Sequence, residues 1–176
     1  MQNFKLKTFT NIIIAITIFM YIVQITIPNG TIYMGLNIYF IEGSFWWQPL
    51  STMFTHHGIG HLLMNMFVLY QFGNLIEEYK GKGTLLILYF VGGLLTSLLS
   101  FGYMDLFNAY ANLGGASGAI SVLFGYVALV DKYQRKGIFM WIMIISFAPL
   151  LIGLPVAWYA HLIGFALGWI IGMIKK

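Results

Sequence analysis

Six stretches of this chain are apolar for long enough to cross a bilayer, which takes about 20 residues, with a range of roughly 17 to 25. They fall at 11–27, 56–78, 83–103, 116–130, 138–154 and 156–174. The pattern predicts an all-α membrane protein: one six-transmembrane-helix bundle occupying residues 1–176, with no separate soluble domain. The first stretch follows Lys5 and Lys7, as the core of a signal peptide would. It is long for that role, and Ile25-Thr26-Ile27-Pro28 offers no small-residue cleavage site, so a retained anchor is expected.

Composition strengthens this reading. Hydrophobic residues make up 60% of the 176 positions and charged residues 8%, against roughly 25% charged in a soluble domain. The chain has no cysteine, which excludes disulfides, thiolate nucleophiles and cysteine-ligated metals. The net charge of +4 is a matter of position. Lys5, Lys7, Lys80, Lys82, Lys132, Arg135, Lys136, Lys175 and Lys176 all fall on one side of a six-span arrangement, while the opposite loops carry only Glu42 and Asp105. The positive-inside rule then puts both termini in the cytoplasm of a multi-pass inner (cytoplasmic) membrane protein. Nucleic acid is not an expected partner; the lipid bilayer is. The loop from Pro28 to Gln48 holds Tyr33, Tyr39, Phe40, Phe45, Trp46 and Trp47, rings that favour the headgroup level of the outer leaflet.

Polar side chains within apolar spans are costly unless partnered, and here they cluster. The second stretch opens with Thr55-His56-His57-Gly58-Ile59-Gly60-His61 and continues to Asn65, four residues after His61 and on the same helix face. The fourth opens with Gly114-Gly115-Ala116-Ser117-Gly118, and the sixth carries Ala160-His161-Leu162-Ile163-Gly164. Counted from Lys132, Lys175 and Lys80, the residues Ser117, His161 and Asn65 rise to nearly one level, about 21–23 Å for upright helices. That level is roughly 8 Å below the outer edge of a hydrocarbon layer about 30 Å thick. His161, Gly164 and Gly168 share a face of the sixth helix, and Gly118, Ser121 and Gly125 form a small-residue stripe on the fourth. Such stripes let membrane helices approach closely, which would set His161 beside Ser117.

A serine hydroxyl becomes a nucleophile when a base takes its proton, and a neutral histidine can do so at physiological pH. Glu42, Glu77, Glu78, Asp105 and Asp131 all lie near the membrane boundaries, so the expected unit is a Ser117–His161 dyad. His61, Asn65 and the backbone N–H of Ser117 can donate to a developing oxyanion. Each element alone has a plainer reading, as helix packing or an interhelical hydrogen bond. His57 and His61 have metal-ligand spacing but lack the intervening glutamate of a zinc peptidase helix, so neither metal nor cofactor is expected.

From Trp47 to the C-terminus the sequence resembles the rhomboid family of intramembrane serine proteases, in its minimal six-helix form. His56, His61 and Asn65, with Leu62 and Met66, resemble its first histidine-and-asparagine motif. Gly73-Asn74-Leu75-Ile76-Glu77 and Gly81 resemble its Gly-xxx-Glu-xxx-Gly element. Gly115-Ala116-Ser117-Gly118 resembles the nucleophile motif, and Ala160-His161 with Gly164 and Gly168 the Ala-His-xx-Gly element. The resemblance implies Ser117 as nucleophile, His161 as general base, His61 and Asn65 as oxyanion donors, and His56 and Glu77 as structural supports. It implies single-span membrane protein substrates, cut near the extracytoplasmic side. A rhomboid-like factor that binds or extracts membrane clients without cutting them is the alternative, but such members usually lack the serine or the histidine. Two departures stand out: Trp47-Gln48 where the family often has Trp-Arg, and Ser121 where an aromatic commonly stacks on the histidine. The fifth stretch, with Pro149 and Gly153, is the expected mobile gate.

Overall fold

The computed structural model describes residues 8–174, all of them helix, turn or loop apart from one isolated antiparallel bridge between Leu36 and Leu113. Lys5, Lys7, Lys175 and Lys176, part of the charge argument above, lie outside the described residues. Six helices correspond to the six apolar stretches: α1 (Phe9–Thr26), α2 (Ile59–Lys80), α3 (Lys82–Leu106), α4 (Ser117–Val130), α5 (Lys132–Leu151) and α6 (Trp158–Ile174). By length and composition α1, α2 and α3 can each cross a membrane, and α4 and α6 are apolar but shorter.

The distribution of side chains is that of a protein in lipid. On α1 the inward face carries Thr10, Ile13, Thr17 and Gln24, while Ile12, Ile16, Phe19, Ile22 and Ile25 point outward. An outer surface more apolar than the inner one would be untenable in water and is favoured in a bilayer. Thr8 caps α1, its hydroxyl accepting the Asn11 N–H at 3.2 Å.

Helix α4 is the central rod, with every residue from Ala119 to Ala128 buried. Its seam with α6 is made by glycine. A Cβ on Gly125 would land on the Phe165 carbonyl, one on Gly164 on the Gly118 carbonyl, and one on Gly168 on the Val122 carbonyl. Backbone therefore touches backbone along the seam, the close approach expected from the two small-residue stripes. Helix α3 reaches α4 through a π-helical segment at Ile87–Gly92, where backbone packs on a side chain: a Cβ on Gly92 would stand 2.6 Å from Val122 Cγ1.

Boundaries differ from expectation in two informative places. Helix α2 starts at Ile59, so His56 and His57 precede it in an extended turn instead of lying on the helix. Helix α5 starts at Lys132, because the Asp131 carboxylate accepts the N–H groups of Tyr133 and Gln134 and nucleates the helix six residues earlier than 138. That places Pro149 in the last turn of α5, with Gly153 in the following loop at φ +74°.

The segment between α1 and α2 folds as short helical turns bound together by aromatic contacts. Phe45 stacks on Trp47 at 4.9 Å, and Phe40 packs edge-on against Phe101 of α3 at 5.0 Å. Gln48, fully buried, accepts the Asn37 N–H at 3.2 Å and donates to the Ile32 carbonyl at 3.0 Å, anchoring this segment internally.

Candidate functional site

The site begins with the loop that leads into α4. Leu113 pairs with Leu36, the Thr52 hydroxyl donates to the Leu113 carbonyl at 2.8 Å, and the Gly115 N–H donates to the Thr52 carbonyl at 3.0 Å. Gly115 takes φ +147°, open to glycine alone without strain, and a Cβ there would meet the His61 ring at 2.9 Å and Ser117 Oγ at 3.4 Å. Only a residue without a side chain can turn this corner while the two polar groups close over it. Ser117 follows as the first residue of α4, half-buried, where helix geometry leaves backbone N–H groups without intrahelical partners.

Ser117 Oγ lies 3.1 Å from His161 Nε2 on α6, a hydrogen bond made across the glycine seam. His161 is 8% exposed, so the pair sits largely away from solvent. The other ring nitrogen also has a partner: Nδ1 is 3.3 Å from the hydroxyl of Ser146, a wholly buried residue of α5. Ser121, one turn below Ser117, donates to the Ser117 carbonyl at 2.8 Å instead of contacting the imidazole.

His61 projects from the first turn of α2 to the Gly115 corner. His57 lies parallel to its ring at 6.2 Å, and His56 meets it edge-on at 5.1 Å. Asn65 is buried one turn further along and directs its amide back to the His61 carbonyl at 3.1 Å. Ser117, His161 and His61 thus come together from three helices at the start of α4, while Asn65 follows His61 on α2 with its amide bonded within that helix. Among the described residues no three His, Asp or Glu side chains form a group that could hold a metal ion.

His56 has a definite tautomer. Its Nδ1 faces the Phe54 carbonyl at 3.3 Å, which can only accept, and its Nε2 faces the Ala116 N–H at 3.4 Å, which can only donate. The ring is therefore neutral with the proton on Nδ1, and it ties Ala116, the residue before Ser117, to the segment that leads into α2. Glu77 stands at the other end of α2. Its two oxygens accept the Phe9 N–H at 2.9 Å, the Thr10 N–H at 2.9 Å and the Thr10 hydroxyl at 3.0 Å. A carboxylate on the N-terminus of α1 is favourably placed against the helix dipole. Gly73, one turn earlier, allows Thr10 to approach α2 this closely.

Two contributors escape the sequence reading. Gln24, near the end of α1 and 3% exposed, donates to the His56 carbonyl at 2.8 Å and accepts the His56 N–H at 2.9 Å. Ser146 is the second. Each is a lone polar residue in an apolar run, the same signal that singled out His61 and Asn65. The groove between α2 and α5, of about 450 Å³, lies elsewhere, lined by residues such as Phe67, Phe72, Tyr133, Gly137 and Trp141.

The family model for the Rhomboid domain matches residues 43–176. The chain is 33% identical over 142 residues to the rhomboid protease GluP of Bacillus subtilis, a match covering 77% of this chain and 27% of that protein. It is 27% identical over 189 residues to the rhomboid protease GlpG of Haemophilus influenzae, covering 100% of this chain and 96% of that protein. The putative rhomboid protease YdcA of Bacillus subtilis is 27% identical over 147 residues, covering 80% and 72% respectively. The chain thus matches about a quarter of the length of GluP but nearly all of GlpG from Haemophilus influenzae.

Proposed function

The chain belongs to the rhomboid family, and on that footing we propose that it is a serine endopeptidase that cuts membrane-anchored proteins within or near a transmembrane segment. The observation that carries this reading is the 3.1 Å contact between Ser117 Oγ and His161 Nε2. The Ser117 hydroxyl donates to Nε2; as Oγ attacks the scissile carbonyl, the proton passes to the imidazole. The imidazolium then protonates the departing amine, and a water deprotonated by the same ring releases the acyl group. The backbone N–H of Ser117, the His61 imidazole and the Asn65 amide donate to the oxyanion, a role for which preorganised donors are more effective than water. Asn65 must turn its amide away from the His61 carbonyl, or use its second N–H, to reach that charge.

In this proposal all six helices span an inner membrane with both termini in the cytoplasm. Lys80, Lys82, Lys132, Arg135 and Lys136 mark the cytoplasmic face, and Arg135 there donates to the Ala128 and Leu129 carbonyls at the end of α4. The 14 residues of α4 extend about 21 Å, less than the roughly 30 Å of hydrocarbon. With its C-terminus at the basic face, α4 begins below the opposite surface, and Ser117 opens toward the extracytoplasmic side. Substrates are single-span proteins whose helix must unwind locally, because a peptide bond held in helical hydrogen bonds within lipid is closed to attack.

The test is cleavage of a labelled single-span substrate by the chain reconstituted in lipid vesicles. Ser117→Ala should lose nearly all activity, on the order of 10⁶-fold, with His161→Ala similar. Cleavage that survives Ser117→Ala and stops with a chelator would instead identify a metallopeptidase.

A further inference from the structure

Resting on the assignment of Ser117 and His161 as nucleophile and base, we infer that Ser146 is a positioning residue: its hydroxyl accepts the Nδ1–H of His161 and selects the tautomer whose Nε2 lone pair faces Ser117. A neutral imidazole carries one proton on one of two nitrogens. With that proton on Nε2, the ring could donate to Ser117 but could not take its proton. Nδ1 must therefore be the protonated nitrogen, and a protonated nitrogen buried in an apolar bundle needs an acceptor.

No carboxylate is placed to be that acceptor. The five acidic residues of the chain are Glu42, Glu77, Glu78, Asp105 and Asp131, none of them on α4 or α6 or on α5 beside His161. The Ser146 hydroxyl fills the place at 3.3 Å. Its geometry is unlike that of four buried hydroxyls that bond within their own helices. Thr17, Thr96, Ser97 and Ser121 donate to the carbonyl four residues back on their own helix. The Ser146 contact instead crosses from α5 to α6, and Ser146 is 0% exposed. Three hydroxyl and imidazole groups thus form one chain, Ser117–His161–Ser146, contributed by α4, α6 and α5 in turn. Displacement of α5 alone would remove the acceptor and leave the base free to adopt the unproductive tautomer.

The experiment uses the full chain in lipid vesicles with two readouts, substrate cleavage and the rate at which a fluorophosphonate probe labels Ser117. Ser146→Ala should lower kcat about tenfold, the worth of one ordinary hydrogen bond, with KM unchanged and labelling slowed in parallel. Ser146→Cys keeps the shape with a weaker acceptor and should be slow as well; Ser146→Thr keeps the hydroxyl and should recover most of the rate. Wild-type kcat in both Ser146→Ala and Ser146→Cys, or a Ser146→Thr variant as slow as Ser146→Ala, overturns the proposal. Failure of the peptidase assignment shows separately, as a wild-type chain that neither cleaves nor labels. In that case ¹⁵N NMR of the His161 ring still decides the positioning role: the proton should sit on Nδ1 in the wild type and redistribute to Nε2 in Ser146→Ala, and an unchanged tautomer refutes it.

Discussion

Replacing Gly168 by alanine adds one methyl group, and the structure states what it meets. The new Cβ would land on the Val122 backbone carbonyl and stand 3.0 Å from the Tyr126 backbone nitrogen. Neither neighbour can swing aside as a side chain would, so α6 must move off α4 by about 1 Å, the scale of misplacement that costs roughly 10²-fold in rate. Overpacking of this kind costs about 1–3 kcal/mol. His161 lies seven residues away on the same face, about 10 Å along the helix, where the displacement lengthens its 3.1 Å contact with Ser117. Gly168→Ala should therefore lose stability and about two decades of kcat together, although residue 168 touches no site group. Gly137→Ala is the matched control, since a Cβ there meets nothing within 4 Å. It should be neutral or gain up to about 1 kcal/mol from helix propensity. Unfolding in mixed detergent micelles and cleavage of a single-span substrate in vesicles measure the two effects. If Gly168→Ala is as stable and active as the wild type, or Gly137→Ala is equally damaging, the backbone seam is not what sets the Ser117–His161 distance.

Asn65→Ala should cost roughly 10²–10³ in kcat, as for one lost oxyanion donor, with little change in unfolding, because its hydrogen bond is to its own helix. Gln24→Leu leaves the buried N–H and C=O of His56 without their partner and should destabilise by about 2 kcal/mol or more; wild-type thermal unfolding would count against that role. The backbone N–H of Gln134, foremost, with its side-chain amide holds the Asp131 carboxyl below the usual carboxylate range. A depressed folded value means the contribution is complete above the unfolded aspartate value near 4 and fades as pH falls through the folded one. Asp131→Ala should thus lower the melting temperature at pH 7 and lose that effect in acid; an equal deficit at both pH values would contradict it.

Much of this architecture can be read from the order of residues alone. Hydrophobic run length locates five of the six helices to within about three positions and misses only the start of α5, because the demand that backbone polar groups pair internally leaves few alternatives to a helix in apolar surroundings. The polar residues in those runs mark His61, Asn65, Ser117 and His161, because each is too costly in lipid to be placed without a partner. The glycine and serine stripes on α4 and α6 indicate that these helices meet, since a small-residue face has little else to offer.

Tertiary structure decided what depends on a second element. That α2 begins after His56 follows from bonds to Gln24, Phe54 and Ala116, two of which lie far away in the chain. The early start of α5 is a different case, set by a carboxylate cap that is local in the sequence but that run length does not register. Ser146 faces the imidazole while Thr96 and Ser97 return to their own helix, a difference fixed by helix rotation and neighbours, on which hydropathy is silent. A sequence records which residues must avoid lipid; only the packed bundle says which partner each one finds, because hydrogen bonds depend on distance and direction across helices that the linear order does not orient.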